Sequence, residues 1–187
     1  MNTRDAVSLI SDAVPKNSGG VWADFGAGNG IFSFALATLL GPNSRIYAID
    51  WDAAALSAVD RWTDPLRRNV IPVVADFSRA VELPGINGTP LDGALFANTL
   101  HFLRDADAVL ARLVAHVRPG GRVVFVEYDR RGPSRWVPFP IAFAELPTLV
   151  ASAGLSPPVI KATRPSAFGG DLYVAAADRL ANGVERD

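Results

Sequence analysis

Cysteine is absent from this 187-residue chain, and histidine occurs only twice. Without cysteine there are no disulfides, no thiolate nucleophile and no thiolate metal site, and two histidines are too few for the commoner zinc sites. No metal is expected. A surplus of charge is also lacking, since 18 Lys plus Arg stand against 19 Asp plus Glu for a net charge of −1. Neutralising phosphates or an anionic membrane takes a basic excess, so neither nucleic acid nor membrane is an expected partner beyond a local basic patch. Long apolar runs are missing too. The uncharged stretch 25–44 reaches the length of a membrane span, but it opens with Gly26, Gly28 and Gly30 and closes with Gly41-Pro42-Asn43. Its apolar part, 31–40, is too short to cross a bilayer and reads as a buried helix. Arg4, Asp5 and Asp12 interrupt the first apolar stretch, unlike a secretory signal, and a cytoplasmic location is expected. What remains is 49% hydrophobic and 20% charged, the composition of one domain spanning 1–187. Its chemistry must use carboxylates, hydroxyls, amides, a histidine or a bound cofactor.

Strand-like and helix-like stretches alternate along the chain, with no repeat or linker. Thr3 can cap a first helix in which Ala6, Leu9, Ile10 and Ala13 fall at helical spacing, stopped by Pro15 and Asn17-Ser18-Gly19-Gly20. Strands are expected over 21–25, 45–50, 70–76, 91–98, 122–128, 159–164 and 171–178. Helices are expected over 31–40, after Asp52, over 105–117 and up to Gly154. Behind Asp52, the residues Ala55, Ala58, Val59 and Trp62 share one helical face. Pro72 places the third strand at a sheet edge, Pro119-Gly120-Gly121 reads as the turn that ends the helix 105–117, and the loop 165–170 suits a hairpin. Residues 77–90 carry no regular signal beyond a short helix. The expected fold is α/β: a doubly wound, mostly parallel seven-stranded sheet with helices on both faces and an antiparallel C-terminal hairpin strand.

Sheets of this kind bind ligands outside the carboxyl ends of the strands, where strand order reverses. The first strand runs straight into Gly26-Ala27-Gly28-Asn29-Gly30 and a helix, so a ligand can approach bare backbone there. Asp50 ends the second strand, where a carboxylate can accept both hydroxyl protons of a ribose. Asp76 ends the third and Asn98 the fourth. Asp24, Asp50 and Asp76 recur at intervals of 26 residues, one strand-helix-strand unit each.

The order of these residues carries a resemblance. Val21-Trp22-Ala23-Asp24-Phe25-Gly26-Ala27-Gly28-Asn29-Gly30 resembles the first motif of class I S-adenosylmethionine-dependent methyltransferases, an acid followed by Gly-x-Gly-x-Gly. Ala48-Ile49-Asp50-Trp51-Asp52 looks like that family's acidic ribose site, and Val74-Ala75-Asp76-Phe77 like the acid that contacts the adenine amino group. The stretch Asp92-Gly93-Ala94-Leu95-Phe96-Ala97-Asn98-Thr99-Leu100-His101-Phe102 resembles the fourth-strand motif facing the methyl group, and Arg118-Pro119-Gly120-Gly121-Arg122 the turn before the fifth strand. The resemblance covers about 21–128, and the closing hairpin suits the family's reversed seventh strand in a Rossmann-like fold. It implies S-adenosylmethionine as cofactor, bound by Asp24, Gly26, Ala27, Gly28, Gly30, Asp50, Trp51, Asp76, Phe77 and Asn98. The backbone of the glycines would follow the methionine part and Asp24 would help orient it.

Each residue also has a plainer reading. The glycines can serve close helix-strand packing, Asp24 can be a structural acceptor for the loop, and Trp51 can pack between helices. Asp76 can cap the turn after its strand, whereas Asp52 is better placed than Asp50 to cap the next helix. For catalysis the candidates are His101, Glu127 and Tyr128; a histidine between Leu100 and Phe102 can equally pack at a helix start. His116 reads as solvent-facing. Residues 129–143 hold Arg130, Arg131, Arg135, Trp136, Phe139 and Phe143, either a lid for an acidic or aromatic substrate or a solvated loop. The length leaves little room for added domains, which favours a small-molecule methyl acceptor. Two other readings stand beside this one. A nicotinamide-dependent oxidoreductase would share the glycine turn and Asp50 but needs Gly-x-Gly-x-x-Gly, and Ile31 follows Gly30 here. A non-catalytic cofactor-binding or scaffold module of the same fold needs no catalytic side chain at all.

Overall fold

The computed structural model describes residues 1–79, 88, 90–129, 132–166 and 169–181. Among these residues seven strands form one sheet: β1 (Gly20–Phe25), β2 (Ser44–Asp50), β3 (Val70–Val74), β4 (Leu91–Ala97), β5 (Val117–Asp129), β6 (Val159–Pro165) and β7 (Asp171–Asp178). Their order is β3-β2-β1-β4-β5-β7-β6. All neighbours among β1 to β5 are parallel, and β7 runs antiparallel to both β5 and β6. Among the described residues, five helices flank the sheet: α1 (Thr3–Ile10), α2 (Ile31–Leu40), α3 (Ala53–Leu56), α4 (Ala106–Val114) and α5 (Leu146–Ser152). This is the doubly wound architecture with a reversed hairpin strand that the alternating pattern predicts.

Side chains alternate across a strand, so each central strand feeds two cores. On one face Phe25, Phe96 and Phe125 meet Leu110 and Leu113 of α4 and Leu146 and Val150 of α5. On the other, Trp22, Leu95 and Val124 meet Leu9 and Ile10 of α1 and Leu36 and Leu40 of α2. The central strands are therefore buried on both sides, which is why Val123-Val124-Phe125-Val126 reads as an unbroken apolar run.

Four local details differ from the sequence expectations. Asn2, not Thr3, caps α1, its side chain accepting from the Asp5 amide at 2.9 Å. The helix behind Asp52 lasts one turn: Asp52 caps it as expected, but from Ser57 the chain passes into short 3-10 turns at Val59–Arg61 and Pro65–Asn69, with Trp62 and Asp64 extended between them. Pro119-Gly120-Gly121 does not precede β5 but lies inside it: pairing with β4 jumps from Leu91↔Val117 to Gly93↔Arg122, a bulge that Gly120 absorbs at φ 72°. The expected strand 70–76 ends at Val74, short of Asp76. It does lie at the sheet edge, with Pro72 in the ladder. The short helix considered for 77–90 falls mostly outside the described residues.

At the opposite edge, β6 is exposed over most of its length. Its register slips between Ile160 and Ala162, and it ends at Pro165. β1 and β4 lie side by side at the centre, with β2 and β3 beyond one and β5 beyond the other. The crevice at their carboxyl ends is the switch point where strand order reverses.

Candidate active site

A cavity of about 310 Å³ opens at that crevice. Gly26 after β1, Asp50 and Trp51 after β2, Asp76, Phe77 and Ser78 after β3, and Asn98, Thr99, Phe102 and Leu103 after β4 line it. Six of the ten residues singled out for the cofactor thus share one wall system: Gly26, Asp50, Trp51, Asp76, Phe77 and Asn98. Ser78, Thr99, Phe102 and Leu103 join them without having been anticipated. Ser78 could have been read from the Asp-x-Ser spacing that makes an Asx turn; Thr99 and Phe102 lie in the fourth-strand motif without having been singled out, and nothing in sequence marks Leu103.

Asp50 is buried and both its oxygens accept backbone hydrogen bonds, Oδ2 from the Gly28 amide at 2.8 Å and Oδ1 from the Asp52 amide at 2.9 Å. Those bonds clamp the glycine loop to the end of β2 and leave further lone pairs for a ligand, since a carboxylate has about four acceptor sites. Asp76 does cap its turn: Oδ1 accepts from the Ser78 amide at 3.1 Å and its hydroxyl at 2.5 Å, and Arg79 approaches Oδ2 at 3.3 Å. The Ser78 hydroxyl bond holds this exposed carboxyl below the usual carboxylate range. Trp51 is 73% exposed, so it packs between no helices and presents its ring at the cavity. Phe77 is the reverse, 8% exposed and edge-on to Phe25 at 6.0 Å.

Asp24 lies on the α2 side of β1 and is completely buried. Oδ2 accepts from the Ser33 hydroxyl at 2.6 Å, while Oδ1 has no partner among the described residues. Burial pushes its carboxyl up to about 7; the Ser33 bond counters this and the nearby Asp50 adds to it. The three glycines separate into different jobs. A methyl group on Gly26 would run into the Thr99 side chain, and one on Gly30 would meet Trp62 and Val59 at 2.7 Å. Gly30 is thus a packing position at the start of α2, away from the cavity. Gly28, at φ 55°, has nothing within 4 Å of that position and faces open space. Ala27 is buried and Asn98, at φ 53°, carries a buried Oδ1 without a partner among the described residues.

The three catalytic candidates meet on the β5 side. Glu127 is fully buried; its Oε1 accepts from the amides of Thr99, Leu100 and His101 at 3.2, 2.9 and 3.4 Å. Its Oε2 lies 2.6 Å from Nδ1 of His101, which is itself 2% exposed. Glu127 therefore holds the 3-10 turn Leu100–Phe102 and fixes the imidazole ring of His101 at its middle. His101 packs at that turn and does not line the cavity; its ring lies between those of Phe102 and Tyr128, at 4.4 and 5.8 Å. Within 129–143, Phe143 tucks against Tyr173 at 5.5 Å, but Trp136 and Phe139 are exposed. Arg130 and Arg131 lie outside the described residues. His116 is half-buried rather than solvent-facing, and its carbonyl accepts from Leu91 at 2.8 Å.

The sequence profile of the methyltransferase domain matches residues 23–123, more than half of the chain and the whole crevice apart from its β5 flank. The chain belongs to the methyltransferase domain family. No curated protein matches the sequence of this methyltransferase. Solved structures share its fold at low identity. A SAM-dependent methyltransferase from Aquifex aeolicus superposes with a TM-score of 0.70 at 19% identity, over 92% of this chain and 88% of that one. The 1,6-didemethyltoxoflavin N1-methyltransferase of Burkholderia thailandensis, solved with its substrate and S-adenosylhomocysteine, gives 0.70 at 22% identity, over 96% and 78%. Human N-acetylserotonin methyltransferase in complex with SAM gives 0.68 at 20%, over 97% of this chain but 52% of that one. These likenesses establish the Rossmann-like methyltransferase fold. S-adenosylmethionine is the cofactor of such a methyltransferase, and the crevice fits it. Acids stand at two strand ends, apolar rings stand beside them, and two buried oxygens, Asp24 Oδ1 and Asn98 Oδ1, lack a donor among the described residues. A nicotinamide fingerprint and a bare scaffold are not favoured by the same match.

Proposed function

We propose that this methyltransferase transfers a methyl group to a small-molecule acceptor, as a single domain spanning 1–187. The observation that carries the reading is one cavity bordered by Asp50 and Asp76, with the unpartnered oxygens of Asp24 and Asn98 at the centre of the sheet. In this reading Asp50 holds the ribose hydroxyls, Trp51 and Phe77 flank the adenine, and Asp76 receives its amino group. Gly26, Ala27 and Gly28 follow the methionine part with bare backbone, and Asp24 and Asn98 take up its ammonium group. A small acceptor is supported by two structural neighbours whose named acceptors are small molecules. No described helix is long and apolar enough to cross a membrane.

Bound in the crevice, S-adenosylmethionine supplies a methyl carbon on a positively charged sulfur, which leaves as a neutral thioether when the acceptor forms its new bond to carbon. The protein's share is alignment, because charge disperses along the reaction and holding reactants in line can supply roughly 7–11 kcal/mol of a barrier. Asn98 and Phe102 border the cavity on the acceptor side. An acidic acceptor proton can pass to water. His101 stays in place as a ring that Glu127 orients, and it becomes a base only where the turn Leu100–Phe102 exposes it to a bound acceptor.

S-adenosylhomocysteine at 100 times its dissociation constant should stabilise the protein by about 2.7 kcal/mol, whereas NAD should not. Asp50→Asn, which keeps one acceptor oxygen for the loop, should weaken S-adenosylhomocysteine binding by about tenfold or more in calorimetry. Unchanged affinity in a folded variant would overturn the ribose assignment.

A further inference from the structure

Beside the cofactor crevice stands a group of exposed rings, with guanidiniums that have no carboxylate partner among the described residues, which methyl transfer by itself does not need. Phe102, 53% exposed, lines the cavity. The amide of Phe139 donates to the carbonyl of His101 at 2.9 Å, so the 132–145 segment is fastened to the turn that carries Phe102. That segment is anchored rather than loose. Val137 and Ile141 are buried, Ser134 and Val137 exchange backbone hydrogen bonds at 2.9 and 3.2 Å, and the Tyr173 hydroxyl donates to the Ile141 carbonyl at 3.0 Å. With its apolar anchors satisfied, it nevertheless leaves Phe139 37% and Trp136 69% exposed. The Arg104 guanidinium lies 5.4 Å from the centre of the Phe139 ring, and that of Arg135 lies 5.3 Å from Trp136.

Neither guanidinium pairs with a carboxylate among the described residues. At the far end of the sheet the arrangement is different, since Arg118 pairs with Asp92 at 2.8 Å and Arg122 with Asp178 at 2.5 Å. Rings held outward with an uncompensated planar cation stacked on them form a surface for a flat ligand with negative charge: the ring face takes an arene and the guanidinium fork takes a carboxylate.

Resting on the reading that the adjoining crevice holds the cofactor, we propose that the methyl acceptor is a planar aromatic molecule bearing an anionic substituent. Its ring lies against Phe102 and Phe139, and its anion is read by Arg104. Arg104 and Phe139 are then specificity determinants, outside the cofactor's own contacts.

The test uses the full chain saturated with S-adenosylhomocysteine and titrated with 4-hydroxybenzoate and indole-3-acetate, their primary amides, and cyclohexanecarboxylate, with saturation-transfer NMR as the readout. Aromatic acids should bind about tenfold or more tightly than their amides and than the non-aromatic acid. Arg104→Ala should erase the preference of acid over amide, and Phe139→Ala should weaken acid and amide alike, with S-adenosylhomocysteine affinity unchanged in both variants. Equal binding of acids and amides, a preference that survives Arg104→Ala, or no binding of any aromatic acid would each overturn the proposal. Loss of S-adenosylhomocysteine binding by the unmodified protein would instead overturn the cofactor reading on which it rests.

Discussion

Asp24 shows how one side chain can be costly to the empty protein and useful to the loaded one. Its carboxyl is buried beside Asp50, with one oxygen bonded to Ser33 and the other without a donor, and it titrates near 7 instead of near 3.8. Between those values the folded state holds a proton that the unfolded chain has released. Stability must therefore fall as pH rises from about 4 to about 7, the opposite of a salt-bridged carboxylate. Chemical denaturation of the ligand-free protein should show this decline, and Asp24→Asn should flatten it. An equally steep profile in the variant would mean that another group is responsible. A cationic group delivered to Asp24 would favour its ionised form, so S-adenosylhomocysteine binding near neutral pH should release a proton in the native protein but not in Asp24→Asn.

At the scale of elements, the turn after β4 depends on a residue of the neighbouring strand. Glu127 at the end of β5 accepts three amides of that turn and orients His101. Glu127→Gln keeps a carbonyl oxygen for the amides, whereas Glu127→Ala leaves buried donors unpaired at about 1–3 kcal/mol each. The alanine variant should therefore be several kcal/mol less stable by denaturant titration than the glutamine variant, and should bind S-adenosylhomocysteine more weakly, because Phe102 and Leu103 belong to the same turn and the same cavity wall. Equal stability of the two would show that the turn holds itself. None of this was legible in the sequence: His101 and Glu127 are 26 residues apart, and only the register of β4 against β5 brings them together. What sequence did reveal was whatever a local pattern encodes. The glycine loop, Asp50 and Asp76 follow strands whose apolar runs are plain, so their convergence followed from topology. The short α3 and the bulge in β5 did not: behind Ser57 the chain closes into 3-10 turns, and in β5 the sheet ladder overrides a turn-like local signal.

The molecule as a whole is organised around three rings, one from each central strand. Phe96 of β4 stacks between Phe25 of β1 at 5.1 Å and Phe125 of β5 at 5.8 Å, all within the core beneath α4 and α5. Phe96→Ala should cost about 3–5 kcal/mol. In a chain of this size that corresponds to a melting point lower by roughly 6–20 °C. Phe102→Ala, at an exposed ring a few residues along the same chain, should leave the melting point almost unchanged. Similar melting points for the two variants would mean that the ring stack is not where the fold derives its cohesion. The sheet also has a free rim. Along β6 the slipped register at Ile160 and Ala162 breaks the even spacing of donors and acceptors, and Pro165 brings no amide hydrogen to its end. A second chain approaching that rim would find its hydrogen bonds out of step, so molecules at high concentration are kept from joining sheet to sheet while the hairpin itself stays paired.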